Sequence, residues 1–206
     1  GKFDITQSMV QELLNAPLNP NGRPNSDVVR PWINASDIAG RPRGMGIIDF
    51  GVDASEFEAS MYEKPFEYVK THVKPARNKV RNTLERKNWW LHGRPAPDFR
   101  DAVKGLGRYI ATPRVSKYRL FVWIPEATLP DNAVVVFASN SDYLLGVLES
   151  NLHELWARRT GTQLREAESG FRYSQTMTFE TFPCAWPLGR EPAGDPRVEA
   201  IAQAAR

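Results

Sequence analysis

The chain has 206 residues, enough for one domain or one with an appendage. With 41% hydrophobic and 25% charged residues, disorder is excluded as the main state, and no apolar run reaches the ~18 residues of a membrane span. One cysteine excludes an internal disulfide, and three histidines argue against structural zinc. The elements then read in chain order as follows. Residues 6–15 form a helix capped by Thr6, with Met9, Leu13 and Leu14 on one face. Residues 17–32 are a Pro/Asn/Gly-rich loop. Gly46–Gly51 is a short buried strand between glycines. A long helix starts at Asp53 or Ser55, with Phe57, Met61, Tyr62, Tyr68 and Val69 at helical spacing and Pro65 kinking or dividing it. Residues 75–87 continue as a basic helix with Pro75 in its first turn. Trp89-Trp90, a loop and a short helix near 98–104 follow.

Strands are predicted at 108–112, 120–124 and 133–138, with Pro130-Asp131-Asn132 as a hairpin turn between the last two. Residues 141–158 read as one amphipathic helix carrying Leu144, Leu145, Val147, Leu148, Leu152, Leu155 and Trp156, with Gly161 as its stop. A polar loop covers 161–172, Thr176–Phe179 is strand-like, and 196–205 is a weak terminal helix. Helices come first and strands later, so the fold class is α+β, a small mixed sheet flanked by helices. Residues 1–186 read as one domain and 187–206 as a Pro/Gly-rich tail opening a helical segment. The start at Gly1-Lys2-Phe3, without methionine, suggests an excised fragment.

Net charge is +3, but it is unevenly spread. From Lys70 to Arg119 fourteen Lys or Arg stand against three acids, +11 in 50 residues, so the rest of the chain carries −8. Arginine outnumbers lysine 19 to 8, and arginine is preferred where a planar fork grips phosphate or a guanine edge. A positive block beside a negative remainder points to a polyanion on one face; a solvated basic helix is the bland reading. Lys74, Arg77, Lys79, Arg81, Arg114, Lys117 and Arg119 are the phosphate-binding candidates, since phosphate contacts set register while base contacts set sequence. Trp89-Trp90 either stack on bases or anchor the basic segment to the core.

No enzyme signature stands out. Gly44-Met45-Gly46 lacks the strand before it and the helix after it that a phosphate loop needs. Asn19-Pro20-Asn21-Gly22 lacks the second proline and the aromatic of the adenine methyltransferase turn. Glu85-Arg86-Lys87 has no preceding acid for a nuclease site and reads as helix charge pairing. His153 reads as a packed structural residue beside Leu152 and Trp156. His72 and His92 have no obvious partner, and Cys184 reads as filler. No catalytic residue and no metal ligand is assigned.

Longer words of the sequence carry a resemblance: Pro17–Trp32, Ile48-Asp49-Phe50-Gly51, Tyr62–Phe66, Trp89–His92, Arg108–Val115, Arg119–Trp123, Gly146-Val147-Leu148, His153–Ala157 and Thr178–Pro183. Together, in order, they resemble the target recognition domain of MmeI-type (type IIL) restriction–modification enzymes and related large adenine-N6 DNA methyltransferases. The resemblance implies a fold like the recognition domains of gamma-type adenine methyltransferases and type I specificity subunits. It also implies a bacterial, cytoplasmic phage-defence setting and a methyltransferase domain N-terminal to this region. That domain would use S-adenosylmethionine, with no cofactor in this piece. It places specificity-setting residues near the 161–172 loop. Gln163, Arg165, Glu166 and Arg172 are therefore the base-reading candidates, with chemistry suited to adenine, guanine and cytosine edges.

The reading is a double-stranded DNA recognition module without chemistry of its own and without a membrane partner. The alternatives are a scaffold that joins a large methyltransferase to other defence proteins, and a hydrolase whose site is assembled in space.

Overall fold

The computed structural model describes residues 2–163 and 170–206, with Gln163 described by its backbone. In chain order its elements are β1 (Asp4–Ile5), α1 (Gln7–Leu14), β2 (Val29–Ile33), α2 (Ala35–Ala39), β3 (Gly46–Ile48), α3 (Glu56–Ser60), α4 (Glu63–His72), α5 (Lys74–Arg77), α6 (Thr83–Lys87) and α7 (Pro97–Val103). Then come β4 (Arg108–Pro113), β5 (Val115–Ser116), β6 (Val122–Pro125), β7 (Leu129–Pro130), β8 (Val134–Phe137), α8 (Asp142–Glu149), α9 (Asn151–Thr160), β9 (Thr162–Gln163), β10 (Phe171–Arg172) and α10 (Pro196–Ala204). They assemble into two compact units. The first takes residues up to Ile33, Arg43–Ala102 and Ala127–Leu129; the second takes Asn34–Pro42, Val103–Glu126 and Pro130–Arg206. The mixture of small sheets and helices is the predicted α+β class.

In the first unit the sheet order is β1-β3-β2-β7. β3 is antiparallel to both inner neighbours, with Asp4 opposite Ile47 and Val29 opposite Ile48. The predicted first helix is α1, and the Thr6 side chain accepts from the Met9 amide as its cap. The Pro/Asn/Gly-rich loop ends earlier than expected, because Val29–Ile33 joins the sheet. Its remainder is held from inside. Asn25 donates to the Leu13 carbonyl at 2.9 Å, and Asn19 donates to Asn25 Oδ1 at 2.9 Å, both within buried surroundings. Buried amides need such partners.

The long helix predicted from residue 53 is two helices. Ser55 and Glu58 form a capping box for α3, and α4 restarts after Tyr62. Pro65 stands at the third position of α4, where an amide has no partner inside the helix, so it fits the start rather than breaking the middle. The basic helix predicted over 75–87 is also divided. α5 ends at Arg77, and Asn82 accepts from the Leu84 and Glu85 amides to start α6.

Trp89 and Trp90 anchor the core: they are 4% and 8% exposed, meet edge to face at 5.8 Å, and Trp90 donates to the Ala54 carbonyl at 2.8 Å. Phe3, Ile48, Phe50 and Val69 pack in the same cluster. At the end of β3 the buried Asp49 carboxylate accepts both Arg100 guanidinium nitrogens at 2.8 and 3.0 Å, with His92 Nε2 3.8 Å away.

In the second unit the larger sheet has the order β6-β4-β8. β4 is antiparallel to both neighbours, with Ile110 opposite Trp123 on one side and Phe137 on the other. The predicted hairpin between the strands at 120–124 and 133–138 is therefore corrected. Both strands exist as β6 and β8, but each pairs with β4, and Pro130–Asn132 belongs to the crossing between them. β4 is buried from Tyr109 to Pro113, a longer buried run than either neighbour has, and a strand buried on both faces belongs in the centre.

The helix predicted over 141–158 is split at Ser150. Its extended backbone (φ −66°, ψ 148°) ends α8, and its hydroxyl accepts from the His153 amide to begin α9. The re-aimed α9 leaves Leu152 and Leu155 exposed. Thr176–Phe179, expected as a strand, lies in a π-helical turn over Gln175–Phe179, with Glu180 donating to the Gln175 carbonyl five residues back.

The terminal helix is present as α10 and packs on α8. Gly146 is the contact point: a Cβ there would lie 2.7 Å from both the Ile201 carbonyl oxygen and Ile201 Cγ2. Alanine normally stabilises a helix interior by up to ~1 kcal/mol over glycine. Here the backbone oxygen blocks it, so Gly146→Ala is expected to lower stability by about 1–3 kcal/mol through forced separation of α8 and α10. Urea denaturation of the full chain measures this, and a stabilised Gly146→Ala variant would refute it.

Candidate nucleic-acid interface

Past Pro113, β4 runs through Arg114 into β5, the first strand of a second sheet in this unit, of order β5-β10-β9. β10 is its centre, antiparallel to both neighbours. Arg172 lies opposite Val115 and Thr162, and Phe171 opposite Ser116 and Gln163. Each strand is two residues long. This register gathers on one small sheet residues that the sequence separates by up to 58 positions: Arg114 and Lys117 flanking β5, Gln163 on β9 and Arg172 on β10. Arg165 and Glu166 lie outside the described residues, between β9 and β10.

Phe171 is buried, and the next residue, Arg172, is exposed, as the two-residue period of a strand requires. The Phe171 ring has the Arg119 guanidinium at 4.8 Å and the Arg158 guanidinium at 5.4 Å. Tyr173 follows, also buried, with its own ring 5.0 Å from Arg119. Burial pushes the Tyr173 phenol above its ordinary range. Its hydroxyl lies 3.1 Å from His153 Nε2, and His153 Nδ1 lies 2.8 Å from the Leu148 carbonyl oxygen. A carbonyl only accepts, so Nδ1 carries the proton and Nε2 accepts from Tyr173. His153 thus plays the structural role predicted for it.

Burial lowers the pKa of His153 below 6.5, and burial does the same for His92, outweighing the opposite pull of Asp49. The unfolded chain then binds more protons than the folded one as pH falls below about 6.5, so stability drops there. Denaturation midpoints at pH 7.5, 6.5 and 5.5 are expected to fall in that order, with His92→Gln and His153→Gln each flattening the trend. A midpoint flat from 7.5 to 5.5 contradicts this.

The phosphate candidates separate on inspection. Lys79 and Arg81 are exposed and have no ion-pair partner among the described residues. Lys74 is half-buried with its ammonium 4.4 Å from the centre of the Trp89 ring. Arg77 is corrected. Its guanidinium is ion-paired with Glu85 and donates to the Leu91 carbonyl at 3.3 Å, with its side chain only 14% exposed. The pairing predicted for Glu85 within its own helix is made with Arg77 instead. In the second unit, Lys117 is exposed beside Tyr118, a 65% exposed ring that the sequence reading passed over. Arg114 donates to the Asn132 carbonyl at 3.1 Å and remains partly exposed. Arg119 is turned inward too, and its guanidinium is taken up by acceptors of the protein itself. It donates to Thr112 Oγ1 at 3.1 Å, to the Pro113 carbonyl, and to the Phe171 carbonyl at 3.2 Å. Burial lowers its pKa to about 10.

The profile of a protein family described as "MmeI, target recognition domain" matches residues 65–186. This chain belongs to the MmeI target recognition domain family. DNA methyltransferase A of Bacillus subtilis (strain 168) is 29% identical to this recognition domain over 119 residues, which cover 55% of the chain and 12% of that protein. The type IIL restriction-modification enzyme MmeI, solved in complex with DNA, superposes with a TM-score of 0.70 at 18% identity, over 100% of this chain and 25% of that one. The recognition domain thus spans a small part of either relative's length.

The matched span contains every phosphate and base candidate named above, and the small sheet from β5 to β10 lies within it. Among the described residues no helix is long and apolar enough to cross a membrane, and no group of three or more His, Cys, Asp or Glu could hold a metal ion.

Proposed function

We propose that this target recognition domain reads a specific double-stranded DNA site for a larger adenine-N6 methyltransferase. The family match, together with the exposed cations and Arg172 on the β5-β10-β9 sheet, carries this reading. Arg172, Gln163, Arg165 and Glu166 read base edges. Lys79 and Arg81 in the first unit and Arg114 and Lys117 in the second grip phosphates, and Lys74, held against Trp89, is a further candidate. The methyltransferase domain would lie N-terminal in the same polypeptide and would bind S-adenosylmethionine. The type IIL relative makes nuclease activity in the parent a compatible addition. The setting is the bacterial cytoplasm, in defence against phage. Residues 1–186 act as the recognition domain and 187–206 as its tail.

The experiment is duplex binding by the full chain across a salt series. Lys79→Ala and Arg81→Ala are each expected to weaken all duplexes equally and to reduce the slope of log affinity against log salt by about 0.9. Arg172→Ala is expected to relax preference at one base position with the slope unchanged. Binding that ignores salt would overturn the DNA reading in favour of a scaffold.

A further inference from the structure

Arg119 is half-buried, its Nε fully so, and it has no carboxylate partner among the described residues. Buried arginine is ordinarily paired with an acid. Its described contacts are a hydroxyl, backbone carbonyls and aromatic faces. One nitrogen donates to Thr112 Oγ1 and the Pro113 carbonyl, both at the end of the central strand β4. The other donates to the carbonyl of Phe171, the first residue of β10. The Phe171 and Tyr173 rings lie 4.8 and 5.0 Å from the same group. Nε is buried and has no hydrogen-bond partner among the described residues. The β5-β10-β9 sheet has two residues per strand and little pairing of its own. A sheet that short is not stable without outside support.

We propose that Arg119 is a positioning residue: it bolts β10 to the end of β4 and so fixes where Arg172 and its neighbours stand for base reading. This rests on the DNA-reading function proposed above. A base-reading side chain discriminates through hydrogen bonds of fixed geometry, and those require a backbone held in place. The clamp touches β10 through its main-chain carbonyl, so it constrains position without dictating which side chain residue 172 carries.

The test uses Arg119→Met, which keeps the length and apolar contact but loses the donors, and Arg119→Lys, which keeps a charge and some donors. Backbone hydrogen exchange is measured on the full chain. Each protein is also offered a pool of random-sequence duplexes, and the salt slope is recorded. In Arg119→Met, exchange is expected to rise in β5, β9 and β10 while β4 and β8 stay protected. Preference among duplexes is expected to fall about tenfold, the loss of one good base contact, with the salt slope unchanged. Arg119→Lys is expected to recover part of the preference, and if Arg119→Met does not fold, a partial loss of preference in folded Arg119→Lys with exchange confined to the same three strands supports the proposal.

Exchange rising equally in β4 and β8 would make Arg119 a general core residue and overturn it. A salt slope reduced by about 0.9 would make it a phosphate contact and overturn it as well. If the unsubstituted chain enriches no sequence at all, the DNA-reading function fails, and the exchange pattern still decides whether Arg119 clamps β10.

Discussion

Gly170→Ala is expected to detach β10 from β5 and to lower the stability of the second unit by about 2–5 kcal/mol. Two independent costs add here. Gly170 has φ +82°, a left-handed conformation that costs an L-residue about 1–3 kcal/mol. A Cβ would also lie 2.3 Å from the Ser116 carbonyl carbon and oxygen and 2.5 Å from the Lys117 nitrogen. All three are backbone atoms, so no side-chain rotation relieves the overlap, and β5 itself must move. The expected readout is loss of amide protection at Val115, Ser116 and Phe171, an earlier unfolding transition in urea, and loss of sequence preference in duplex binding. An unchanged transition would show that β5 and β10 are not in contact as described.

Asp49→Asn is expected to cost about 2–4 kcal/mol in the first unit. The carboxylate is 3% exposed and gives one oxygen to each of two Arg100 nitrogens. Asparagine keeps the shape but offers one oxygen, and its amide turns a donor toward a guanidinium that is all donor. Breaking a buried pair from one side is expensive because the remaining charge is left without its partner. Arg100 retains 24% of its side-chain exposure, so water reaches part of it and the expected loss falls toward the lower end of that class. A cycle of Asp49→Asn, Arg100→Met and the double variant isolates the pair. A double variant no more stable than the sum of the two single losses would remove the pairing argument. Burial alone would raise the Asp49 pKa, but the Arg100 hydrogen bonds and charge, helped by His92, outweigh it and hold the carboxyl below 3.8. The stabilisation is therefore complete above that value and is lost as pH falls below it.

The elements that announced themselves locally were legible in the sequence. Thr6 and Ser55 mark helix starts by their hydroxyls: Thr6 caps as expected, and of the two starts expected, Asp53 or Ser55, the cap is Ser55. The β-branched and aromatic runs at 108–112 and 133–138 are strands, because buried apolar runs of that length have few alternatives. Pairing was not legible. Pro130-Asp131-Asn132 has turn chemistry, but turn chemistry does not say which strand the chain returns to, and β4 takes the centre. Breaks within helical patterns were masked by the apolar or basic periodicity around them. Ser150 and Asn82 carried the signal as potential caps, and so did Asn34 ahead of α2 with Asp37 in its first turn, a helix the sequence reading passed over.

The candidate interface divides the same way. A cluster of cations is visible as composition, but nothing in the spelling of residues 74–119 distinguishes the exposed Lys79 and Arg81 from the inward Arg77 and Arg119. That difference comes from partners 8 to 52 residues away, Glu85 and Phe171. Gly170 gave only a weak hint, a glycine before an aromatic at the end of a polar stretch. Its meaning depends on Ser116, which reaches it across the sheet.

The first unit also has a consequence for synthesis. Most of it is finished at Ala102, yet its outermost strand position beside β2 is filled from Ala127–Leu129 and β7. Until those residues leave the ribosome, β2 presents a bare edge, the kind of surface that pairs with foreign strands. A nascent chain stalled before Leu129 is therefore expected to be the aggregation-prone one. Any shortened version meant to express the first unit alone needs a covalent substitute for that late strand, or a proline or lysine on the uncovered edge.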